Sequence, residues 1–561
     1  MEKILDNNYY DLIISNLLVP SFGVSDDVTL LNDRFSLLHV AKKNMQPCDL
    51  GQNPYHVFPT LYTITSDVTP PVPGMVSVAP ENDHTLFGQG VIIGIVDTGI
   101  DYRHPAFLNK DKTTRILSIW DQTIQEGPPP NGFTYGTEYT KASINDALHY
   151  ENPLSTVPTT DTIGHGTAVA SIAAGSPDTV KSFSGVVPNS ELVVVKLKEA
   201  KSNLKMIFSV PEDKFCFQES DIVLGVRYLI TVSQRLKRPL VICIALSSSQ
   251  GSHDGRGVLS TYLESLVQQP DLGVSISAGD EGNNGRHYFN RTISAPHLND
   301  FQMNIAGSDK QFFMELWAHI PGRLSIEISA PDREMVSSIN PSFNDCHKYV
   351  FQNSQSILWV NNMIFERESG DQLILLRFEN PLPGIWYFRV RNMEDEPFTI
   401  NAWLPSGDLI SDGTFFLNSS PDITITSPGN SRRTLTATAY NQLTSNILDE
   451  SGRGFTRSGY VKPDVGAPGY QIPCAVPENQ YGTLTGTGAS AAIAAGAIAI
   501  IFEWSQNKGN FTYITGEQVN RIIIRGAQRN PAYSYPNNIW GFGQLDVNRV
   551  FELFSSLVYE K

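Results

Sequence analysis

Two short segments carry residues that could activate a nucleophile. Asp97 ends an apolar run in Ile95–Ile100 (IVDTGI), and His165 lies in Gly164–Gly175 (GHGTAVASIAAG), at the start of an alanine-rich helical pattern. An aspartate that orients a histidine, which then takes a proton from a hydroxyl, is the working core of acyl transfer by a serine nucleophile. Either residue alone is more often structural, because an aspartate after a strand commonly caps a turn. The two segments together favour a catalytic type of arrangement.

A third segment decides how the first two are interpreted. Gly486–Gly496 reads GTGASAAIAAG and is preceded by Lys462–Gly469, KPDVGAPG. The Asp, His and third segments resemble the motifs of the subtilisin-like serine proteases (subtilases, peptidase S8), in that family's chain order of Asp, His and Ser. The resemblance implies that the nucleophile position is residue 488, which is Gly488 here. Glycine has no side chain with which to attack a carbonyl.

Two further positions bear on whether activity survives. Ser490 lies close to position 488, but two residues along a helix rotate by about 200° and rise by about 3 Å, so its side chain should point away from His165. Ser277–Gly282 reads SAGDEG where subtilases usually have AAGNEG, which places Asp280 at the position of the asparagine that donates to the oxyanion. An ionised aspartate has no donor. Losing such a donor costs about 10²–10³ in rate, and losing the nucleophile about 10⁶.

Strand and helix patterns alternate from residue 91 onward, which predicts a parallel sheet with helices on both faces. The predicted strands are Val91–Val96, Leu192–Leu197, Leu240–Leu246 and Val274–Ala278, and the predicted helices between them are Asp221–Gln234 and Val258–Gln268. Active sites in such sheets form beyond the carboxyl ends of the strands. The fold class is therefore α/β, and the resemblance makes it subtilisin-like.

Near Phe301 the pattern changes to short strands without helices. The candidates are Phe312–Ala318, Arg323–Ser329, Ile357–Phe365, Gln372–Phe378, Gly384–Val390 and Phe398–Leu404. Strands of this kind predict an antiparallel β-sandwich, whose core Trp317, Trp359, Trp386 and Trp403 are expected to fill. Helical patterns return after residue 430, so the sandwich is predicted to be inserted into the α/β domain.

The predicted domains are therefore a prodomain-like segment at 1–75, a first part of the core at 76–300, the inserted sandwich at 301–425 and a second part of the core at 426–561. The proline-rich stretch Val68–Gly74 is taken as the first boundary. If the prodomain is cleaved from the core, the cleavage site is expected near Gly74; an earlier cleavage site is the alternative.

This domain order resembles the Csp germination proteases of clostridial spores, whose inserted domain is a jelly roll. The stretches Gln250–Gly255 (QGSHDG) and Ser427–Asn430 (SPGN), and Ala492 where secreted subtilases have proline, support the resemblance. It implies a CspC-like pseudoprotease that keeps its prodomain, resides in the spore and regulates germination. A Csp-type germination protease or another pathway component is the implied partner, and a small-molecule germinant is left open as a ligand.

Composition excludes several other classes. The chain has 561 residues, of which 41% are hydrophobic, as expected for ordinary globular cores. Its formal net charge of −16 opposes broad binding to nucleic acid. Its five cysteines are widely spaced, which predicts free thiols rather than a disulfide framework or a metal site. No cofactor or metal is expected. The N-terminus does not read as a secretory signal, and the most apolar run, Ala489–Phe502, is shorter than a membrane span.

Two other functions remain open from the sequence. The first is a weakly active serine endopeptidase that uses Ser490 or a bound water and processes the precursor of a cortex-lytic enzyme. The second is a decoy that binds peptides in an intact cleft without cutting them.

Overall fold

The computed structural model describes residues 2–22, 27–44, 53–70, 85–292, 298–343, 345–507 and 509–558. Its N-terminal elements are β1 (Tyr9–Ser15), α1 (Val19–Phe22), β2 (Val28–Leu30), β3 (Phe35–Ala41), β4 (Leu61–Ile64) and β5 (Asp67–Thr69). Strands β1, β3 and β2 form an antiparallel sheet, whereas β4 and β5 pair with distant parts of the chain. Val68 and Thr69, which were expected to break the strand pattern, belong to β5, and residues 71–84, including Gly74, lie outside the described residues.

The first part of the core supplies most of the central sheet. Its elements are β6 (Ile92–Asp97), β7 (Ile116–Asp121), β8 (Thr137–Thr140), α2 (Lys141–Leu148), α3 (His165–Ala174), β9 (Glu191–Lys196), α4 (Ser202–Ile207), β10 (Phe217–Gln218), α5 (Glu219–Leu236), β11 (Leu240–Ile244), β12 (Leu246–Ser247), α6 (Val258–Leu266) and β13 (Leu272–Ser277). All four predicted strands and both predicted helices are present, with ends shifted by one or two residues.

The inserted region is built from strands. They are β14 (His287–Arg291), β15 (Leu298–Ile305), β16 (Gln311–Ala318), β17 (Leu324–Ser329), β18 (Met335–Ile339), β19 (Asp345–Val350), β20 (Ile357–Met363), β21 (Gln372–Glu379), β22 (Gly384–Asn392), β23 (Thr399–Trp403) and β24 (Phe415–Phe416). They form a six-stranded sheet, β14-β23-β16-β21-β20-β19, and a five-stranded sheet, β18-β17-β22-β15-β24. The six predicted strands are all present, and the inserted sheets confirm the predicted architecture.

The tryptophans of the insert are distributed differently from the prediction. Trp386 is fully buried in the core between the two sheets, but Trp317 and Trp403 pack on the opposite face of the six-stranded sheet, in a cluster with Leu12 and Phe208. Trp359 is only half-buried. Side chains alternate between the two faces of a strand, and the second face of this sheet is buried against the rest of the chain. A tryptophan there is therefore as well packed as one in the sandwich core.

The second part of the core completes the sheet and adds the helix that begins at the candidate site. Its elements are β25 (Leu435–Asn441), β26 (Asn446–Ile447), β27 (Val465–Pro468), β28 (Ile472–Val476), β29 (Gln480–Thr485), α7 (Thr487–Phe502), α8 (Gly516–Gly526) and α9 (Val547–Val558). The central sheet has the order β26-β25-β13-β11-β6-β9-β7-β8, with β27 also beside β25. Its inner strands are parallel, and β8 and β26 join antiparallel at the edges.

Hydrophobic side chains on the two faces of this sheet enter separate cores. Ile93 and Ile95 pack with α3 and α7, whereas Ile92 and Val96 pack with α5 and α6. Residues from Thr487 to Gln506 have the length and apolar composition of a membrane span, longer than the run taken from the sequence, but nearly all of them are buried inside the protein. It is the central helix of the fold.

The cysteines only partly follow the sequence-based expectation. Cys216, Cys243 and Cys474 are free and buried, and burial raises the pKa of each thiol, for example to about 12 for Cys216. Cys346, however, is disulfide-bonded, contrary to the expectation of free thiols. Cys48 lies outside the described residues.

Candidate active site

The fold brings Asp97 and His165 into direct contact. Asp97 is the last residue of β6 and His165 is the first residue of α3. His165 Nδ1 lies 2.8 Å from Asp97 Oδ1, and both side chains are buried. Gly166 permits this contact, because a Cβ there would lie 2.3 Å from the carbonyl oxygen of Gly99. The other ring nitrogen, Nε2, is buried and has no hydrogen-bond partner among the described residues.

Burial alone would lower the pKa of His165, but the charge and hydrogen bond of Asp97 more than offset it, so the pKa is raised. Smaller contributions come from Asp161 and from the backbone of Thr65. An imidazole held in this way can take up a proton from a neighbouring hydroxyl and keep it. The pair thus has the geometry of a histidine base with its orienting aspartate.

No hydroxyl is supplied at residue 488. Gly488 lies in the first turn of α7, and its backbone N–H donates to the carbonyl oxygen of Thr65 and to Ser66 Oγ, at 2.9 Å in each case. A backbone N–H at a helix start, aimed at a carbonyl oxygen, is the kind of donor that stabilises an oxyanion in acyl transfer. The site therefore keeps a donor for the carbonyl and lacks an attacking group.

The carbonyl in this site belongs to the chain itself. Strand β4 lies between β10 and β12, with Ile64 opposite Leu246, and the Thr65 N–H donates to the carbonyl of Ala245 at 3.1 Å. Beyond Ser66, strand β5 pairs antiparallel with β29. Residues 61–69 thus cross the site as an extended peptide, paired on both sides of the Thr65–Ser66 bond. A continuous segment presented in this way has the geometry of a bound substrate.

The N-terminal segment approaches Gly488 more closely than a side chain at that position would allow. A Cβ built on Gly488 would lie 2.3 Å from the Thr65 carbonyl oxygen and 2.8 Å from Ser66 Oγ. Ser66 itself has φ 147°, a value that side-chain-bearing residues rarely adopt. The carbonyl oxygen of Thr65 and the hydroxyl of Ser66 therefore fill the space that a nucleophilic side chain would need.

Asp280 lies at the same helix start. Its Oδ1 accepts a hydrogen bond from the Thr487 N–H at 2.9 Å. Burial, together with the charges of Glu450 and Glu281, raises the pKa of Asp280 to about 7 despite the bonds from Thr487. The sequence-based reasoning took this side chain as fully ionised. With a pKa near 7, a large fraction carries a proton and can donate, and that fraction falls as the pH rises.

Ser490 is directed away from the Asp97–His165 pair. Its hydroxyl donates to the carbonyl oxygens of Ala467 and Pro468, each at 3.0 Å, and the side chain is completely buried. Reaching His165 would require breaking both bonds and rotating a packed helix.

Sequence reasoning missed Thr65 and Ser66, since it expected the junction near Gly74. Nothing local in residues 61–64 indicates that they pair with residues 217–218 and 246–247. Among the described residues, no group of three or more His, Cys, Asp or Glu side chains could hold a metal ion.

Comparison with known proteins agrees with this architecture. The model of the subtilase family, Peptidase S8, matches residues 88–309 and 413–543. The chain belongs to the subtilase family. The unmatched residues between the two parts of the subtilase match cover most of the inserted sheets, as expected if the sandwich interrupts a subtilase core.

Among solved structures, this subtilase is similar to the CspB protease of Clostridium perfringens, with a TM-score of 0.76 and 28% identity over 85% of this chain and 95% of that one. The match identifies it as a Csp-like subtilase. It is also 23% identical to the C5a peptidase of Streptococcus pyogenes over 74% of this chain and 34% of that protein. It therefore spans about a third of the length of the C5a peptidases that it matches. A shorter match, 33% over 127 residues, is to the subtilisin-like protease SBT2.4 of Arabidopsis thaliana.

Proposed function

We propose that this subtilase is a catalytically inactive pseudoprotease that acts as a regulatory protein in spore germination and controls a partner germination protease. The observation that supports catalytic inactivity is the glycine at position 488, where a subtilase has its nucleophile. The position that receives a substrate carbonyl has a donor, a histidine and an aspartate, but no attacking oxygen. The resemblance to the Csp germination proteases supports the second half.

The magnitudes favour inactivity over weak activity. Loss of the nucleophile removes about 10⁶ in rate, whereas a compromised oxyanion donor removes about 10²–10³. The partial protonation of Asp280 mitigates only the smaller loss. The alternative, a weakly active endopeptidase that processes the precursor of a cortex-lytic enzyme, is favoured by the retained Asp97–His165 pair. It needs a hydroxyl that Ser490 does not present.

Residues 61–69 occupy the active-site cleft, and this limits how the protein could control a partner protease. Residues 61–69 are paired on both sides of the site, so a foreign peptide would have to displace a segment of the same chain, which is present at a high effective concentration. This disfavours a peptide-binding decoy. Control of a Csp-type germination protease, or of another pathway component, would then act through surfaces outside the cleft.

The test of inactivity is direct. The purified chain, expressed without other proteases, should give one full-length species by intact-mass analysis and no labelling by a fluorophosphonate probe, which reacts only with an activated serine. Ser490→Ala should behave identically. Two defined fragments, or labelling that Ser490→Ala abolishes, would establish the endopeptidase instead.

A separate measurement tests regulation. Spores that carry His165→Gln in place of the wild-type chain should germinate like wild-type spores, because no proton transfer by His165 is used. Spores that lack the chain should show a changed extent of processing of the partner protease's substrate. If His165→Gln and the deletion have the same defect while the purified variant remains folded, the role depends on catalysis and the proposal is wrong.

A further inference from the structure

Two asparagines of the chain are followed directly by glycine, in the pairs Asn131–Gly132 and Asn284–Gly285. In such a pair the backbone nitrogen of the glycine can attack the side-chain amide of the asparagine, because glycine has no side chain that hinders the approach. The two pairs are equivalent in sequence. They differ in how the fold holds them.

Asn131 and Gly132 lie at the tip of an exposed turn. The turn is closed by one backbone hydrogen bond, from the Phe133 N–H to the carbonyl oxygen of Pro130 at 3.0 Å. Gly132 has φ 85°, the positive value that the third residue of such a turn can require. Among the residues that the structure describes, neither the Asn131 side chain nor the Gly132 N–H has a hydrogen-bond partner. The local fold therefore offers little resistance to the backbone rotation that the attack needs.

The second pair is held by its surroundings. Asn284 is half-buried, and its Nδ2 donates to the carbonyl oxygen of Asp280 at 2.6 Å. The backbone of Gly285 is packed against the insert, since a Cβ there would lie 2.8 Å from the Cβ of Phe415. Attack on this amide would have to break the hydrogen bond and move packed backbone.

The reaction uses only the chain and water. The Gly132 nitrogen gives its proton to a base in solution and bonds to Cγ of Asn131, the bond from Cγ to the side-chain nitrogen breaks, and ammonia leaves. The five-membered imide that results is opened by one water molecule at either of its two carbonyls. The products are aspartate and isoaspartate, and no group is oxidised or reduced.

We propose that Asn131 is a site of spontaneous deamidation in the folded protein, and that the fold protects Asn284. The new carboxylate forms beside Arg227, because a Cβ on Gly132 would lie 3.9 Å from Arg227 Nη2. Arg227 Nη1 also donates to the carbonyl oxygen of Leu30 at 2.6 Å and so joins α5 to the N-terminal sheet. Deamidation thus adds a negative charge next to a contact between the N-terminal segment and the core. The proposal does not depend on the regulatory function.

Peptide mapping by mass spectrometry tests the proposal on the full chain. One sample is kept folded at mildly alkaline pH, a second is unfolded in guanidinium chloride at the same pH, and both are digested briefly at mildly acidic pH. In the folded sample the Asn131 peptide should become the acid while the Asn284 peptide keeps its amide. In the unfolded sample both should convert. A folded sample kept at mildly acidic pH should convert more slowly at Asn131, because Gly132 must lose a proton to attack.

Two matched variants separate this chemistry from backbone strain. Gly132→Ala places a methyl group beside the attacking nitrogen and should lose most of the conversion at Asn131. Gly459→Ala is the control, because Gly459 has a similar φ of 79° and no atom of the described residues lies within 4 Å of a Cβ there. It carries the same kind of strain far from the reacting pair in sequence and should convert as the wild type does.

Three results would overturn the proposal. The first is an Asn131 amide that persists in the folded chain while it converts in the unfolded chain. The second is equal conversion of Asn131 and Asn284 in the folded chain, and the third is an unchanged rate at Asn131 in Gly132→Ala.

Discussion

At about pH 9, Gly488→Ser combined with Asp280→Asn is expected to make the chain cut itself between Thr65 and Ser66 about 10²-fold faster than Gly488→Ser alone, because Asp280, with a pKa of about 7, is almost entirely ionised there. The first change supplies an oxygen that the Asp97–His165 pair can activate once the Thr65–Ser66 segment has shifted to admit the new Cβ, which would otherwise lie 2.3 Å from the Thr65 carbonyl oxygen. The second supplies an oxyanion donor at every pH. The measurement is a time course on a denaturing gel, with the new ends identified by mass.

The pH profile of the repaired protein should reveal the state of Asp280. Cleavage requires a neutral His165, so it should rise as the pH passes the raised pKa of that histidine. In Gly488→Ser alone, Asp280 can donate only while protonated, so the rate should fall again as the pH rises above about 7. The double variant should rise and then level off. If the cleavage rate of the double variant also fell at high pH, ionisation of Asp280 would not be the cause of the fall.

Control variants distinguish cleavage by the restored site from cleavage by a contaminating protease. His165→Gln added to the double variant should abolish cleavage. Full activity from Gly488→Ser alone at high pH would show that Asp280 does not oppose the reaction. Cleavage near Gly74 rather than after Thr65 would contradict the register in which β4 and β5 cross the site.

Gly488→Ala is expected to destabilise the protein by about 1–3 kcal/mol, the usual cost of adding an atom to a filled space. Helix propensity alone predicts the opposite sign, since alanine is about 1 kcal/mol better than glycine within a helix. The difference arises because the new Cβ would lie 2.3 Å from the backbone oxygen of Thr65, which cannot rotate away. The free energy of unfolding in denaturant measures the effect.

The same variant should loosen the N-terminal segment, detected as faster limited proteolysis after the residues of β4. Gly307→Ala is a suitable control, because a Cβ there would meet only Pro383, at an ordinary 3.5 Å. An increase in stability for Gly488→Ala would mean that residues 61–69 do not lie against the helix start.

Local hydrophobic patterns in the sequence predicted much of the fold. Continuous apolar runs such as residues 91–96 predicted strands buried on both faces, and their alternation with helices predicted a parallel sheet. The inserted strands were found in the same way. The sequence did not predict the face on which each tryptophan packs, because a strand pattern shows that side chains alternate but not what covers each face. In the structure, Trp317 and Trp403 lie against the N-terminal and core regions rather than inside the sandwich.

For the candidate site, the sequence by itself determined which chemical groups are present: Asp97 and His165 in recognisable segments, and glycine and aspartate at positions 488 and 280. These depend on residue type and local spacing. The tertiary structure determined which segment occupies the site and the pKa values of its ionisable groups. The pairing of β4 and β5 with strands more than a hundred residues away places Thr65 and Ser66 against Gly488. The raised pKa of Asp280 likewise arises from burial, which only the assembled fold creates.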